Sequence, residues 1–86
     1  MNRFIVTGGL GFIGSNLIEL LLSKNFKVIN IDKVSYASNF YNTKTFIKNK
    51  NYTFIKADIC NKRKIFSIFK KYKPNGIFNL AAETHV

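Results

Sequence analysis

Cysteine occurs once in these 86 residues, at Cys60, so no intramolecular disulfide can form, no paired thiol chemistry is available, and a reducing compartment fits. Acidic residues are almost as scarce: four Asp and Glu stand against fourteen Lys and Arg, for a net charge of +10. Such an excess would ordinarily point to a nucleic-acid or acidic-membrane partner. Apart from Lys62-Arg63-Lys64 and Lys70-Lys71, however, the basic residues are scattered, and neither partner is expected. The charge should instead help attract a polyphosphate ligand. No apolar run approaches the roughly 20 residues of a membrane span, and the chain enters its first strand without a basic, cleavable leader, which leads to the expectation of a soluble cytoplasmic chain. No metal site is expected. At this length there is room for one small domain at most, although 47% hydrophobic and 15% aromatic residues argue for a real core.

What is present is organised around Thr7-Gly8-Gly9-Leu10-Gly11-Phe12-Ile13-Gly14, which follows the apolar run Phe4-Ile5-Val6 and opens into Ser15-Asn16-Leu17-Ile18. Strand, glycine turn and helix follow without a gap. A helix that starts on glycines aims its unpaired amides and the positive end of its dipole over the turn, which makes an anion site and above all a pyrophosphate site. Gly8 suits the tight turn, Gly11 leaves room for a phosphate, and Gly14 allows close packing of the helix. The spacing Gly8-x-x-Gly11-x-x-Gly14 is one residue longer in its first gap than the common dinucleotide fingerprint.

The remaining chain reads as alternating elements. The first strand spans Arg3 to Thr7, and a helix from about Gly11 to Lys24 carries an apolar stripe of Ile13, Leu17, Leu20, Leu21 and Leu10. The second strand, Phe26 to Ile31, stops at Asp32, eighteen residues after Gly14. In a right-handed βαβ unit that strand end lies beside the glycine turn, where the adenosine ribose of a dinucleotide falls. A carboxylate there accepts from ribose hydroxyls and repels a 2′-phosphate, so Asp32 favours NAD over NADP; Lys33 blunts the repulsion, and a capping Asp is the plain alternative.

Val34 to Asn51 is polar and turn-rich, with a short helix over Thr43 to Lys48 as one option. A third strand, Tyr52 to Ala57, ends at Asp58, which either accepts from an adenine amine or caps the next helix. That helix, Lys62 to Tyr72, is the clearest amphipathic segment, with Ile65, Phe66, Ile68, Phe69 and Tyr72 as its core stripe. Lys73-Pro74-Asn75-Gly76 breaks it, and Ile77 to Ala82 forms a fourth strand leading into Glu83-Thr84-His85-Val86. The series predicts an α/β fold with a parallel sheet of about four strands in the order 3-2-1-4 and flanking helices. Small Ala81 and Ala82 would let a cofactor lie close, with Thr84 and His85 toward a substrate, although a solvated structural role is the default for a lone histidine.

TGGLGFIG, Asp32, the Asp58-Ile59 pair and Asn79-Leu80-Ala81-Ala82 together resemble the extended short-chain dehydrogenase/reductases that act on sugar nucleotides. Within that group, the segments from Ile31 to Asn39 and from Ala81 to Val86 are most similar to the dTDP-glucose 4,6-dehydratases. The resemblance implies a partial Rossmann fold and NAD as cofactor. It places Gly8, Gly11, Phe12, Ile13 and Gly14 at the pyrophosphate and Asp32, Lys33, Val34 and Ser35 around the ribose. Asp58 and Ile59 fall at the adenine, and Leu80, Ala81, Ala82, Glu83 and Thr84 along the cofactor toward the nicotinamide. Thr84 and His85 would also meet the nucleotide sugar. The family's retained NAD takes a hydride from C4 of glucose, water leaves across C5 and C6, and the hydride returns to C6.

The departures are equally specific. Ser38 stands where many relatives have Gly. The family's catalytic Tyr-x-x-x-Lys helix, its acid and base and nearly all of its nucleotide-sugar domain have no counterpart in residues 1–86, which are therefore expected to be the N-terminal part of an NAD-binding Rossmann domain, inactive alone, from a homodimeric parent. Tyr52 and Lys56 have the Tyr-x-x-x-Lys spacing but fall in a predicted strand, which separates them by roughly 13 Å where a helix would bring them to roughly 6 Å. Other sugar-nucleotide dehydratases, epimerases and a non-catalytic nucleotide-binding module are the alternatives.

Overall fold

The computed structural model describes residues 2–34 and 40–80. Its elements in chain order are β1 (Arg3–Thr7), α1 (Phe12–Ser23), β2 (Lys27–Asp32), a 3-10 turn (Phe40–Thr43), β3 (Tyr52–Lys56), α2 (Lys62–Tyr72) and β4 (Gly76–Asn79). All pairings are parallel, in the order β3-β2-β1-β4. The predicted topology is thus the observed one. Ile5 pairs with Ile29 on one side and Ile77 on the other, and Thr7 with Ile31 and Asn79, so the strand ends lie level along one edge of the sheet.

Alternation along the strands divides the core into two layers. Val6 and Val28 face α1 and pack with Ile18, Leu21, Leu22 and Phe46; Ile5, Ile29 and Ile31 face α2 and pack with Ile68. A central strand covered on both faces needs apolar residues at consecutive positions, which is why β1 reads as the apolar run Phe4-Ile5-Val6 and β2 as a β-branched run broken only by Asn30. Arg3 ties the layers together at the far edge: its Nε donates to the Tyr72 carbonyl at 2.7 Å, at the C-terminal end of α2 where a cation complements the helix dipole.

Several sequence expectations need correction. The buried face of α1 is Gly14, Ser15, Ile18, Leu21 and Leu22, whereas Ile13 and Leu20 are 73% and 52% exposed. The contact with the glycine turn at Gly14 fixes the helix rotation, and Ile18 and Leu21 follow it at helical spacing. Phe66, expected in the α2 stripe, is 66% exposed and carries the Lys70 ammonium 5.7 Å from its ring centre. Thr43 to Lys48 forms no α-helix: after the 3-10 turn, the amides of Phe46 and Ile47 both bond the Thr43 carbonyl and that of Asn49 bonds the Phe46 carbonyl, isolated turns that do not join into a helix. β2 runs one residue later than predicted and ends on Asp32, while β3 stops at Lys56 and β4 at Asn79. α1 closes where expected, with Asn25 left-handed at φ 66 and the amides of Asn25 and Phe26 bonding the carbonyls of Leu22 and Leu21.

Candidate functional site

The turn after β1 has nearly all its amides committed inward. Gly8, at φ 75, donates to the Ile31 carbonyl at 2.9 Å and extends the ladder by one bond. Only glycine takes that backbone angle without cost. The Gly9 amide donates to Asn30 Oδ1 at 2.9 Å, the Leu10 amide to Asp32 Oδ2 at 3.1 Å, and the Gly11 amide to the Gly8 carbonyl at 3.3 Å. Asn30 and Asp32 lie two apart on β2 and so share a face; from there they hold two successive amides of the turn. The first bond of α1 is Ser15 N–H to the Gly11 carbonyl, and no side chain caps Gly11. Phe12, Ile13 and Gly14 therefore have no intrahelical acceptor, and their N–H groups are the donors left for an anion above the turn.

The space around the glycines agrees. A Cβ on Gly14 would lie 2.5 Å from the Gly8 carbonyl oxygen and 2.8 Å from Gly9 Cα, so the helix packs directly on the turn's backbone. A Cβ on Gly11 would meet only the Gly8 oxygen, at 3.6 Å, which leaves the ligand side open. Gly9, to which the sequence assigns no separate role, has none of this room: a Cβ there would run into the Asn30 carboxamide and Ile18.

Asp32 lies at the carboxyl end of β2 as expected, 7% exposed, with Oδ1 accepting from the Val34 amide at 2.8 Å. That bond supports Val34 at φ 62, an angle β-branched residues rarely take. Both oxygens thus hold backbone amides, which fixes the carboxylate beside the turn. Asp58 is exposed, and its Oδ1 accepts from the Cys60 amide at 2.9 Å; that bond, helped by the charge of Lys33, holds its carboxyl below the usual carboxylate range. It does not cap α2. That role belongs to Asn61, whose Oδ1 accepts from the Lys64 amide at 3.1 Å.

Ile59 lines a cleft of about 290 Å³ at the strand ends, together with Thr7, Ile31, Ile65, Phe69, Ile77 and Asn79. Leu80 follows β4 directly, 41% exposed, its amide on the Thr7 carbonyl at 3.0 Å. Phe12 and Ile13, each 73% exposed, stand at the helix start. The structure accordingly brings Gly8, Gly11, Phe12, Ile13, Gly14, Asp32, Lys33 and Val34 together at the middle of the sheet edge, where β1 and β2 end, with Asp58 and Ile59 after β3 on one side and Leu80 after β4 on the other. Ser35, Ala81, Ala82, Glu83, Thr84 and His85 lie outside the described residues, as does Ser38.

Three asparagines make contacts that the sequence reading did not assign to them. Asn30 is fully buried, Asn42 Nδ2 donates to the Leu10 carbonyl at 3.2 Å, and Thr7 Oγ1 donates to Asn79 Oδ1 at 2.5 Å, which ties β4 to β1 at the strand ends. Asn30 carried a signal, because a polar residue between Ile29 and Ile31 in a central strand must find partners. Tyr52 supplies the second one, its Oη accepting from Asn30 Nδ2 at 3.0 Å. Burial pushes the Tyr52 hydroxyl above its usual value of 10.0 despite the Asn30 bond, and the Asp32 charge adds to the rise. With Tyr52 and Lys56 on β3, their spacing has no helical meaning. Among the described residues there is no cluster of metal-ligating side chains and no helix long and apolar enough to cross a membrane.

Comparison with known proteins places this geometry. The family described as GDP-mannose 4,6 dehydratase matches residues 5–86. A dTDP-glucose 4,6-dehydratase of Haemophilus influenzae is 47% identical over 88 residues, which is 100% of this chain and 26% of that protein. Among solved structures, a dTDP-glucose 4,6-dehydratase of Bacillus anthracis in complex with NAD superposes with a TM-score of 0.91 at 36% identity, over 96% of this chain and 27% of that one. A UDP-glucose 4-epimerase of Thermotoga maritima superposes with a TM-score of 0.82 at 32% identity, over 95% of this chain and 25% of that one. The chain spans about a quarter of the length of the relatives it matches.

Proposed function

Since the chain belongs to the GDP-mannose 4,6 dehydratase family, we propose that residues 1–86 form the N-terminal, cofactor-holding part of a Rossmann domain that binds NAD and serves a dTDP-glucose 4,6-dehydratase. The observation that carries this reading is the division of amides at the turn: four point inward, and those of Phe12, Ile13 and Gly14 remain for a pyrophosphate. The open space at Gly11 and the fixed carboxylate of Asp32 fit the same ligand.

In this reading the amides of Phe12 and Ile13 bind the phosphates and Asp32 accepts from the adenosine ribose. Lys33, Val34 and Ser35 surround the ribose, Asp58 and Ile59 flank the adenine, and Leu80, Ala81, Ala82, Glu83 and Thr84 lead toward the nicotinamide, with Thr84 and His85 at the sugar nucleotide. When bound, NAD supplies a hydride acceptor and donor for a substrate such as dTDP-glucose, whose product is the 4-keto-6-deoxy sugar nucleotide. The chain's own residues hold and orient; none of them is assigned the elimination step.

Calorimetry tests the ligand. NAD should bind and NADP should bind about tenfold more weakly, because Asp32 meets the extra phosphate. Equal affinities, or no binding by a chain shown to be folded, would contradict the reading. A chimera extends the test to the reaction, with residues 1–86 replacing the matching quarter of the Haemophilus influenzae enzyme. Turnover of dTDP-glucose is the expected result, and a folded but NAD-free chimera the contrary one.

A further inference from the structure

The turn's inward bonds raise a question that the ligand contacts do not answer: what decides which amides face out. Gly9 and Leu10 follow the first strand directly and precede the helix, and nothing in their own chemistry turns them inward. Leu10 is held by Asp32, a residue already assigned to the ligand. Gly9 is held by Asn30, which is 0% exposed and reaches no ligand surface.

A carboxamide is asymmetric, with an acceptor on one side and donors on the other. If Asn30 turned end for end, its NH2 would oppose the Gly9 N–H, donor against donor in a dry interior. The Gly9 N–H, which can only donate, therefore fixes which end faces the turn, and on the next strand Tyr52 Oη, 3.0 Å from Nδ2, accepts the donor left on the other side and anchors the carboxamide. Three elements are thus in series: β3 through Tyr52, β2 through Asn30, and the turn through Gly9. No side-chain carbon on Gly9 intrudes into this contact, and the Asn30 carboxamide fills the space one would take.

We propose that the buried Asn30–Tyr52 pair is the positioning element of the phosphate cradle: Tyr52 anchors Asn30, Asn30 draws the Gly9 amide inward, and the Phe12 and Ile13 amides are thereby left facing the ligand. Neither side chain touches the ligand, so both are positioning residues. The inference rests on the NAD reading for its ligand, while its structural half concerns the turn's own backbone alone.

The test uses Asn30→Leu, Tyr52→Phe and the double variant, with two readouts. In the absence of ligand, amide hydrogen exchange at Gly9 should accelerate about tenfold or more in Asn30→Leu and in Tyr52→Phe, because the bond is removed in one and, in the other, the buried Nδ2 loses its acceptor and the carboxamide its anchor. In ligand titrations both single variants should weaken NAD and ADP-ribose about tenfold and leave adenosine within about twofold, since only the phosphates meet the displaced amides. The double variant should be no weaker than Asn30→Leu alone, the signature of residues acting in series.

Additive losses would show that Tyr52 acts independently and overturn the relay. Equal losses for NAD and adenosine, or unchanged Gly9 exchange, would reduce the pair to general support of the sheet and overturn the proposal. If Asn30→Leu does not fold, Tyr52→Phe keeps the test alone: it retains the side chain that fills the space, and unchanged exchange at Gly9 there overturns the relay. Failure of the unsubstituted chain to bind NAD contradicts the ligand assignment, whereas normal binding with unselective variants contradicts only this inference.

Discussion

Gly11 and Gly14 stand three residues apart in one motif, yet the structure gives them different work, and two substitutions separate it. In Gly14→Ala the new methyl meets backbone on two sides, 2.5 Å from one oxygen and 2.8 Å from a Cα, so the helix must move off the turn. A loss of about 1–3 kcal/mol is expected, seen as a lower melting temperature. In Gly11→Ala the methyl has only ordinary contact at 3.6 Å, so melting should be nearly unchanged while NAD affinity falls, because the methyl occupies the ligand's space. Tyr52 gives a pH-dependent prediction. Its folded-state pKa is raised above 10.0, so its contribution is fully present below that pH and is lost as pH rises toward the folded value. Denaturant titrations should therefore show a steeper stability loss above about pH 10 for the parent than for Tyr52→Phe. These residue roles were unequally legible. Spacing alone separated the three glycines of the motif, but Gly9 and Asn30 needed the third dimension, since their contact joins a turn to a strand 21 residues away.

At the scale of elements, strands and helices were readable because their periods differ: short, nearly continuous apolar runs for covered strands, and apolar spacing near 3.6 for α2. Rotation of a helix was not. The apolar residues of α1 cover most of its circumference, so several stripes fit, and the contact at Gly14 selected the one through Ile18 and leaves Leu20 outside. Phe66 was misplaced for a related reason, since α2 meets the sheet along a narrow line through Ile65, Ile68 and Phe69. The cap of α2 also differs from the sequence expectation, which offered Asp58 for that role, because Asn61 stands directly before the first helical residue and is the one bonded. With Asn61 bonded to the Lys64 amide, Asn61→Ala should cost about 1 kcal/mol, or roughly 4–8 °C in melting temperature for a chain of this size. Asp58→Asn, which keeps an acceptor for the Cys60 amide in an exposed turn, should change stability little.

The described residues form a four-stranded sheet with β3 and β4 as its outer strands, and its topology followed from the order of elements and the right-handedness of parallel crossovers. The β4 side is the less covered, with Ile77, Phe78 and Leu80 each 37% or more exposed. Such an apolar edge favours association, so light scattering should show concentration-dependent self-association of the chain, reduced in Phe78→Lys. The adjacent ends of the two central strands, β1 and β2, carry the central claim, that the helix-start amides and Asp32 hold NAD. An amide-resolved NMR titration of the folded chain with NAD tests it most directly. The account predicts saturable shifts at Phe12, Ile13 and Gly14 and in the Asp32–Val34 segment, while Gly9, already bonded inward, moves little. Saturable shifts confined elsewhere, or none at millimolar NAD, would contradict it.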